Sequence, residues 1–161
     1  MPWEAKQFAL MARYNRWMND RLYHVCSLIP VEQRQANVGA YFRSIHGTLN
    51  HLLHVDLVWM GRFRGRELTN AVIGEDICAS FVELRERRRR LDDDILAWAE
   101  QLHPEWLDGS FTYVDAADGR FRSAPAWVLV MHLFNHQTHH RGQLTTLLNQ
   151  LGIDHGITDL P

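Results

Sequence analysis

The chain has 161 residues, of which 46 % are hydrophobic and 22 % charged, with a formal net charge of −2. That length suits one ordinary domain over residues 1–161, with a real core and no need of staples, and the composition excludes an intrinsically disordered chain. The near-neutral charge gives no electrostatic reason to expect nucleic acid or an acidic membrane surface as a partner.

The first seventeen residues, MPWEAKQFALMARYNRW, scatter charges among apolar residues and hold no apolar run of signal-peptide length. No stretch of the chain approaches the roughly 18 uninterrupted apolar residues of a membrane span. A cytoplasmic address follows by default, with Cys26 and Cys78, in no CxxC spacing, expected as reduced, buried thiols. Phe8, Met11, Asn15, Met18, Leu22, Val25 and Ile29 recur at alternating spacings of three and four, which predicts a first helix stopped by Pro30. A second helix is expected from about Tyr41 to Phe63, apolar over much of its circumference and fraying into a polar link at Gly61 and Gly65.

The third helix is the cleanest, with Phe81, Leu84, Arg88, Leu91, Ile95, Trp98 and Leu102 on one stripe, Ser80 as N-cap and Pro104 as terminator. Its surface carries RERRRRLDDD, which contains no interleaved aromatic residues for base stacking and is expected to be self-compensated by Asp residues four positions after Arg88, Arg89 and Arg90. Arg88 lies on the apolar stripe, so its head must snorkel out, pair with a carboxylate or face a cavity. Next, Phe111, Tyr113 and Phe121 flank Asp118-Gly119, a turn pair that predicts a β-hairpin. The fourth helix is expected to open at Ser123 with Pro125 in its first turn and to close at Gly152. Together these elements predict an all-α fold, an antiparallel four-helix bundle with a small β-hairpin inserted before the last helix.

The last helix carries His132, His136, His139 and His140. At about 100° and 1.5 Å per residue, His140 falls within the buried stripe marked by Leu129, Leu133, Leu144, Leu147 and Leu151, with His136 at its edge. His132 and His139 fall toward the flank. Residues four apart can converge on one ion, whereas His132 and His140, about 12 Å apart along the axis, cannot easily do so. The usable pair is therefore His136 with His140. A metal centre commonly needs a third protein ligand, and the second helix offers His46, His51 and His54. Rotation discriminates weakly there and favours His51 only modestly. His24, His103 and His155 have no partner at ligand spacing and read as surface or capping residues.

Three stretches, YNRWMNDRLY at Tyr14–Tyr23, LNHLLHVDLVWMGRF at Leu49–Phe63 and HLFNHQTHHRGQLTTLLNQLG at His132–Gly152, together with the closing ITDLP, resemble the DinB-like family of small metal-binding helical proteins. The resemblance covers nearly the whole chain. It implies His51, five residues before Asp56 and eight before Trp59, together with His136 and His140, as ligands of one divalent transition metal, Zn, Ni or Fe. It also implies a homodimer and a long crossover between the second and third helices. The activity it implies is a thiol S-transferase or hydrolase-like reaction in which thiol or water attacks an electrophile. The partner would be a small-molecule substrate, with a low-molecular-weight thiol among the candidates. A non-catalytic metal- or ligand-binding dimer, acting as sensor or sequestering agent, is the alternative. Asn15, Asp56, Arg141 and Gln143 are candidates to line or support the site, Asn15 equally as a residue fixing helix register, and Arg141 as a structural salt bridge in preference to a contact with an anionic substrate.

Overall fold

The computed structural model describes residues 3–66, 74–115 and 118–160. The chain is mostly helical with one small two-stranded sheet: α1 (Trp3–Ser27), α2 (Val31–Gln35), α3 (Ile45–Phe63), α4 (Phe81–Ala99), α5 (Pro104–Asp108), β1 (Ser110–Val114), β2 (Phe121–Pro125) and α6 (Ala126–Gln150). Long helices α1 and α3 each pack against both α4 and α6. Their facing stripes form the core, with Met18 and Leu22 of α1, Leu49 and Leu53 of α3, Leu84 and Ile95 of α4, and Leu133, Leu144 and Leu148 of α6 almost fully buried. The stripes expected on the first, third and fourth helices are thus the ones that face inward. No described helix is long and apolar enough to cross a membrane, and Cys26 and Cys78 are free and buried.

Helix boundaries depart from expectation where side chains compete for the backbone. The second long helix starts at Ile45 rather than near Tyr41, because Ser44 adopts the extended capping conformation and its Oγ accepts the Gly47 amide at 3.0 Å. Ser123 does not cap α6. It sits in β2 paired with Thr112, and Pro125 occupies the N-cap position. The hairpin claims Ser123 first, and the Ala126 amide donates instead to the Gly109 carbonyl at 2.9 Å. At the far end, Gly152 (φ +71°) turns the chain left-handed, and the Ile153 amide reaches back to the Leu148 carbonyl at 2.9 Å. That is a Schellman closure, and glycine takes it without Cβ strain.

The hairpin pairs antiparallel from Ser110↔Pro125 to Val114↔Phe121, and Gly119 lies in its turn at φ +69°. Tyr113 and Phe111 fold back onto α3, against Trp59 at 5.1 Å and Phe63 at 5.5 Å between ring centroids. The expected crossover after α3 runs through residues 67–73, which lie outside the described residues, as do residues 116 and 117 of the hairpin. The basic–acidic run on α4 is compensated differently from expectation. Only Arg88–Asp92 forms within it as a predicted pair, while Asp93 pairs with Arg16 and Asp94 with Arg64. Those two carboxylates reach α1 and the end of α3, so the run ties helices together.

Candidate metal centre

Helices α3 and α6 bring together the three histidines expected from sequence. His51, His136 and His140 form the one group of three or more metal-capable side chains among the described residues, with ligand atoms all within 4.8 Å of one another. The His51 Nε2 lies 3.2 Å from the Nε2 of His136 and 3.2 Å from that of His140. Nitrogens bound at about 2.0–2.1 Å to one tetrahedral ion lie roughly 3.3 Å apart by simple geometry. Both distances from His51 match that spacing, so the donor set is compatible with one transition-metal ion.

Protonation agrees with that use. Burial, reinforced by the neighbouring His140 and His54, pushes His51 down to about 4. Burial and the charges of His140 and His51 take His136 to about 3. His140 is lowered as well, chiefly by burial. All three rings are neutral near pH 7 and keep a lone pair to donate. In His140 the tautomer is also fixed. Its Nδ1 donates to Gln143 Oε1 at 2.8 Å, which leaves the Nε2 lone pair aimed at the centre. Gln143 in turn donates from Nε2 to His139 at 3.3 Å. Among the described residues, the Nδ1 atoms of His51 and His136 have no hydrogen-bond partner.

The flanking histidines fall where helix rotation puts them. His132 and His139 are exposed on α6, and His132 packs edge-on against Trp59 at 5.2 Å. On α3 the outcome was not legible by rotation, since His46, His51 and His54 are all buried. His46 bonds the Cys78 carbonyl through Nε2 at 2.9 Å, and His54 is not part of the converging group. His24 and His103 are exposed and His155 is half-buried.

One wall of the centre comes from a loop. The Phe42 ring stacks on His51 with centroids 3.8 Å apart and meets the His140 ring edge-on at 5.3 Å. Two backbone features hold it there. Arg43 is the single described non-glycine residue in the left-handed region, at φ +66°. At Gly47, a Cβ would sit 2.2 Å from the Phe42 carbonyl oxygen, so only glycine lets the loop press on the first turn of α3. Beside this wall opens a cavity of about 1100 Å³ lined by Tyr41, Phe42, Arg43, His51, Glu75 and Asp76, among others. Phe42 escaped sequence reasoning because no periodicity marks a loop residue.

Behind the histidines lies a buried charge cluster. Arg88 of α4 pairs with Asp56 at 2.8 Å and with Asp92 at 2.7 Å, all three side chains at most 2 % exposed. Asn19 and Asn15 of α1 donate to Asp92 at 3.0 and 3.3 Å, and Gln137 of α6 donates to Asp56. Arg141, pushed down to about 10 by burial, donates to Asn15 and to Gln137 Oε1. Burial pushes Asp92 up to about 6 and raises Asp56 too, while Arg88 opposes both rises. This arrangement places Arg88 with carboxylates and gives Asn15 a helix-joining role. It gives Arg141 amide partners in the core instead of an ion pair. Asp56 makes no bond to the His51 ring. Asp92 is the partner expected for Arg88, whereas no sequence signal named Gln137 or Asn19 as members of the cluster. Gln137 follows Leu133 by four residues and precedes His140 by three, so a polar residue on the buried stripe was the available signal.

Comparison with known proteins gives concordant results. The family model described as DinB family matches residues 1–161. The chain is 26 % identical to Protein DinB of Bacillus subtilis (strain 168) over 152 residues, 91 % of this chain and 87 % of that protein. The crystal structure of a DinB-like protein from Bacillus cereus ATCC 10987 superposes with a TM-score of 0.64 at 17 % identity. That superposition covers 87 % of this chain and 89 % of the other, and shows a shared fold.

Proposed function

Because this chain belongs to the DinB family, we propose that it is a metal-dependent enzyme in which His51, His136 and His140 hold one divalent ion, zinc, nickel or iron. The reaction we read for it is attack of a thiol or a water on a small electrophile, as in a thiol S-transferase or a hydrolase-like enzyme. The observation that carries the reading is the convergence of three neutral Nε2 atoms beside a polar cavity large enough for a small molecule. An ion held by three uncharged imidazoles keeps its full charge and supplies Lewis acidity, which makes a thiol or water nucleophilic near neutral pH. The chain's own residues do the rest. Gln143 fixes the His140 tautomer, Phe42 shields one face of His51 and His140, and the polar lining of the cavity meets the substrate.

A second reading, a non-catalytic metal- or ligand-binding protein serving as sensor or sequestering agent, draws support from one observation. Among the described residues, the charged groups that shift the three rings are other histidines, and the cavity carboxylates Glu75 and Asp76 are not among them, so neither is tied to the rings as a general base would be. With either activity we read a homodimer in the cytoplasm without nucleic acid. We also read α1, α3, α4 and α6 as an antiparallel four-helix bundle, supported by their pairwise packing.

The test is a screen of electrophiles against several cellular thiols, run with metal-loaded protein, chelated protein and His136→Ala. Thiol consumption that needs both metal and His136 supports the transferase. Metal-dependent ester or amide hydrolysis without thiol consumption selects the hydrolase-like form. Stoichiometric metal uptake with neither activity leaves the binding protein.

A further inference from the structure

We infer that Gln137 is a positioning residue that locks the relative height of α3 and α6 and so sets the affinity of the three-histidine centre, an inference that rests on the metal centre proposed above. Gln137 is 0 % exposed. Its Nε2 donates to the Leu52 carbonyl at 3.3 Å and to Asp56 Oδ2, and its Oε1 accepts from Arg141 Nη1 at 3.3 Å. Both ends of the amide are used, so its orientation is fixed.

The chain positions of these partners matter. Leu52 directly follows His51, Gln137 directly follows His136, and Arg141 directly follows His140. One side chain therefore joins the residues beside all three converging histidines. Asp56 is itself held by Arg88 from α4 at 2.8 Å, so the tie is anchored to a third helix.

Apolar side chains interlock at many heights, whereas a buried amide has one register in which all its bonds are made. A slide of α6 along α3 by one residue rise, about 1.5 Å, would break both bonds to α3. It would carry His136 and His140 away from His51 by more than the roughly 0.5 Å that a preorganised site tolerates. Among the described residues, the hydrogen bonds of Gln137 go to Leu52, Asp56 and Arg141 and none to a histidine ring, so it acts through the two helices.

The experiment is an optical titration of metal-free protein with Co²⁺ for the parent, Gln137→Met, Asn19→Leu and His136→Ala, each first checked for folding by circular dichroism. Methionine keeps the length of Gln137 and removes the bonds to α3, while Asp56 keeps Arg88 and Arg141 keeps Asn15. Asn19→Leu cuts bonds between α1 and α4, neither of which bears one of the three histidines. The expected result is Co²⁺ affinity lowered roughly 10–100-fold, the range typical of lost supporting contacts, with a changed visible spectrum in Gln137→Met and unchanged binding in Asn19→Leu. Parent-like binding by Gln137→Met, or equal weakening by Asn19→Leu, overturns the inference while leaving the metal centre standing. Parent-like binding by His136→Ala removes the metal centre itself, and the role of Gln137 with it. Should Gln137→Met fail to fold, Gln137→Leu, which likewise cannot bond the Leu52 carbonyl or Asp56, is read by the same outcomes.

Discussion

Replacing Arg88 by methionine is the perturbation whose cost the structure defines most closely. Arg88 is 2 % exposed and pairs with two carboxylates that are 0 % and 2 % exposed. Methionine fills most of its volume, so the packing loss is small and the effect is electrostatic. Removing one partner of a buried ion pair costs about 3–5 kcal/mol, because the remaining charge stays buried and uncompensated. For a chain of this size each kcal/mol moves the melting midpoint by roughly 2–4 °C, so a fall of about 6–20 °C is expected at pH 7. The pH dependence gives a second check. Burial already raises Asp56 and takes Asp92 to about 6 even with Arg88 present, and without it both rise further. A carboxyl whose folded pKa exceeds its unfolded value destabilises the fold above the unfolded value, and the penalty fades as pH falls toward it. Thermal melts followed by circular dichroism should therefore show the Arg88→Met deficit shrinking between pH 7 and pH 5. A deficit below about 1 kcal/mol, the scale of an exposed pair, or one equal at both pH values would refute the reasoning.

Three further outcomes follow from the site. Gln143→Leu frees the His140 tautomer and should lower metal affinity roughly 10–100-fold in a competition titration with a chromogenic chelator, with the melting midpoint nearly unchanged. Since burial takes His51 to about 4 and His136 to about 3, neither competes with metal at pH 6. Calorimetry in buffers of different ionisation enthalpy should then find fewer than one proton released per ion bound at pH 6, against the one to three expected of ordinary histidines. Gly47→Ala forces its Cβ against the Phe42 carbonyl, and an overpacking cost of about 1–3 kcal/mol should appear in denaturant melts.

Much of this was readable from residue order because helices α1, α4 and α6 each bury one stripe. On α6 the stripe alone separates His136 and His140 from His132 and His139, and the structure keeps that separation. Helix α3 resists the same reading. Its residues 45–56 are buried at nearly every position, His46, His51 and His54 included, so no angle distinguishes them. The third histidine came from family resemblance. Capping is readable where one residue decides it, as at Gly152, and not at Ser123, which belongs to the strand that runs directly into the helix start. The polar residues on buried stripes, Asn15, Arg88 and Gln137, announce that partners exist without naming them. Those partners come from other helices, and a single helix's periodicity carries no information about the height at which its neighbour packs.

In the proposed metal centre, His51, His136 and His140 together hold one ion. Elemental analysis of the purified parent beside His51→Ala, His136→Ala, His140→Ala, His132→Ala and His139→Ala tests it most directly. About one transition-metal ion per chain is expected in the parent, His132→Ala and His139→Ala, with that ion lost in the other three. Parent-like metal content in all three site variants, or loss of the ion from His132→Ala or His139→Ala, would contradict it.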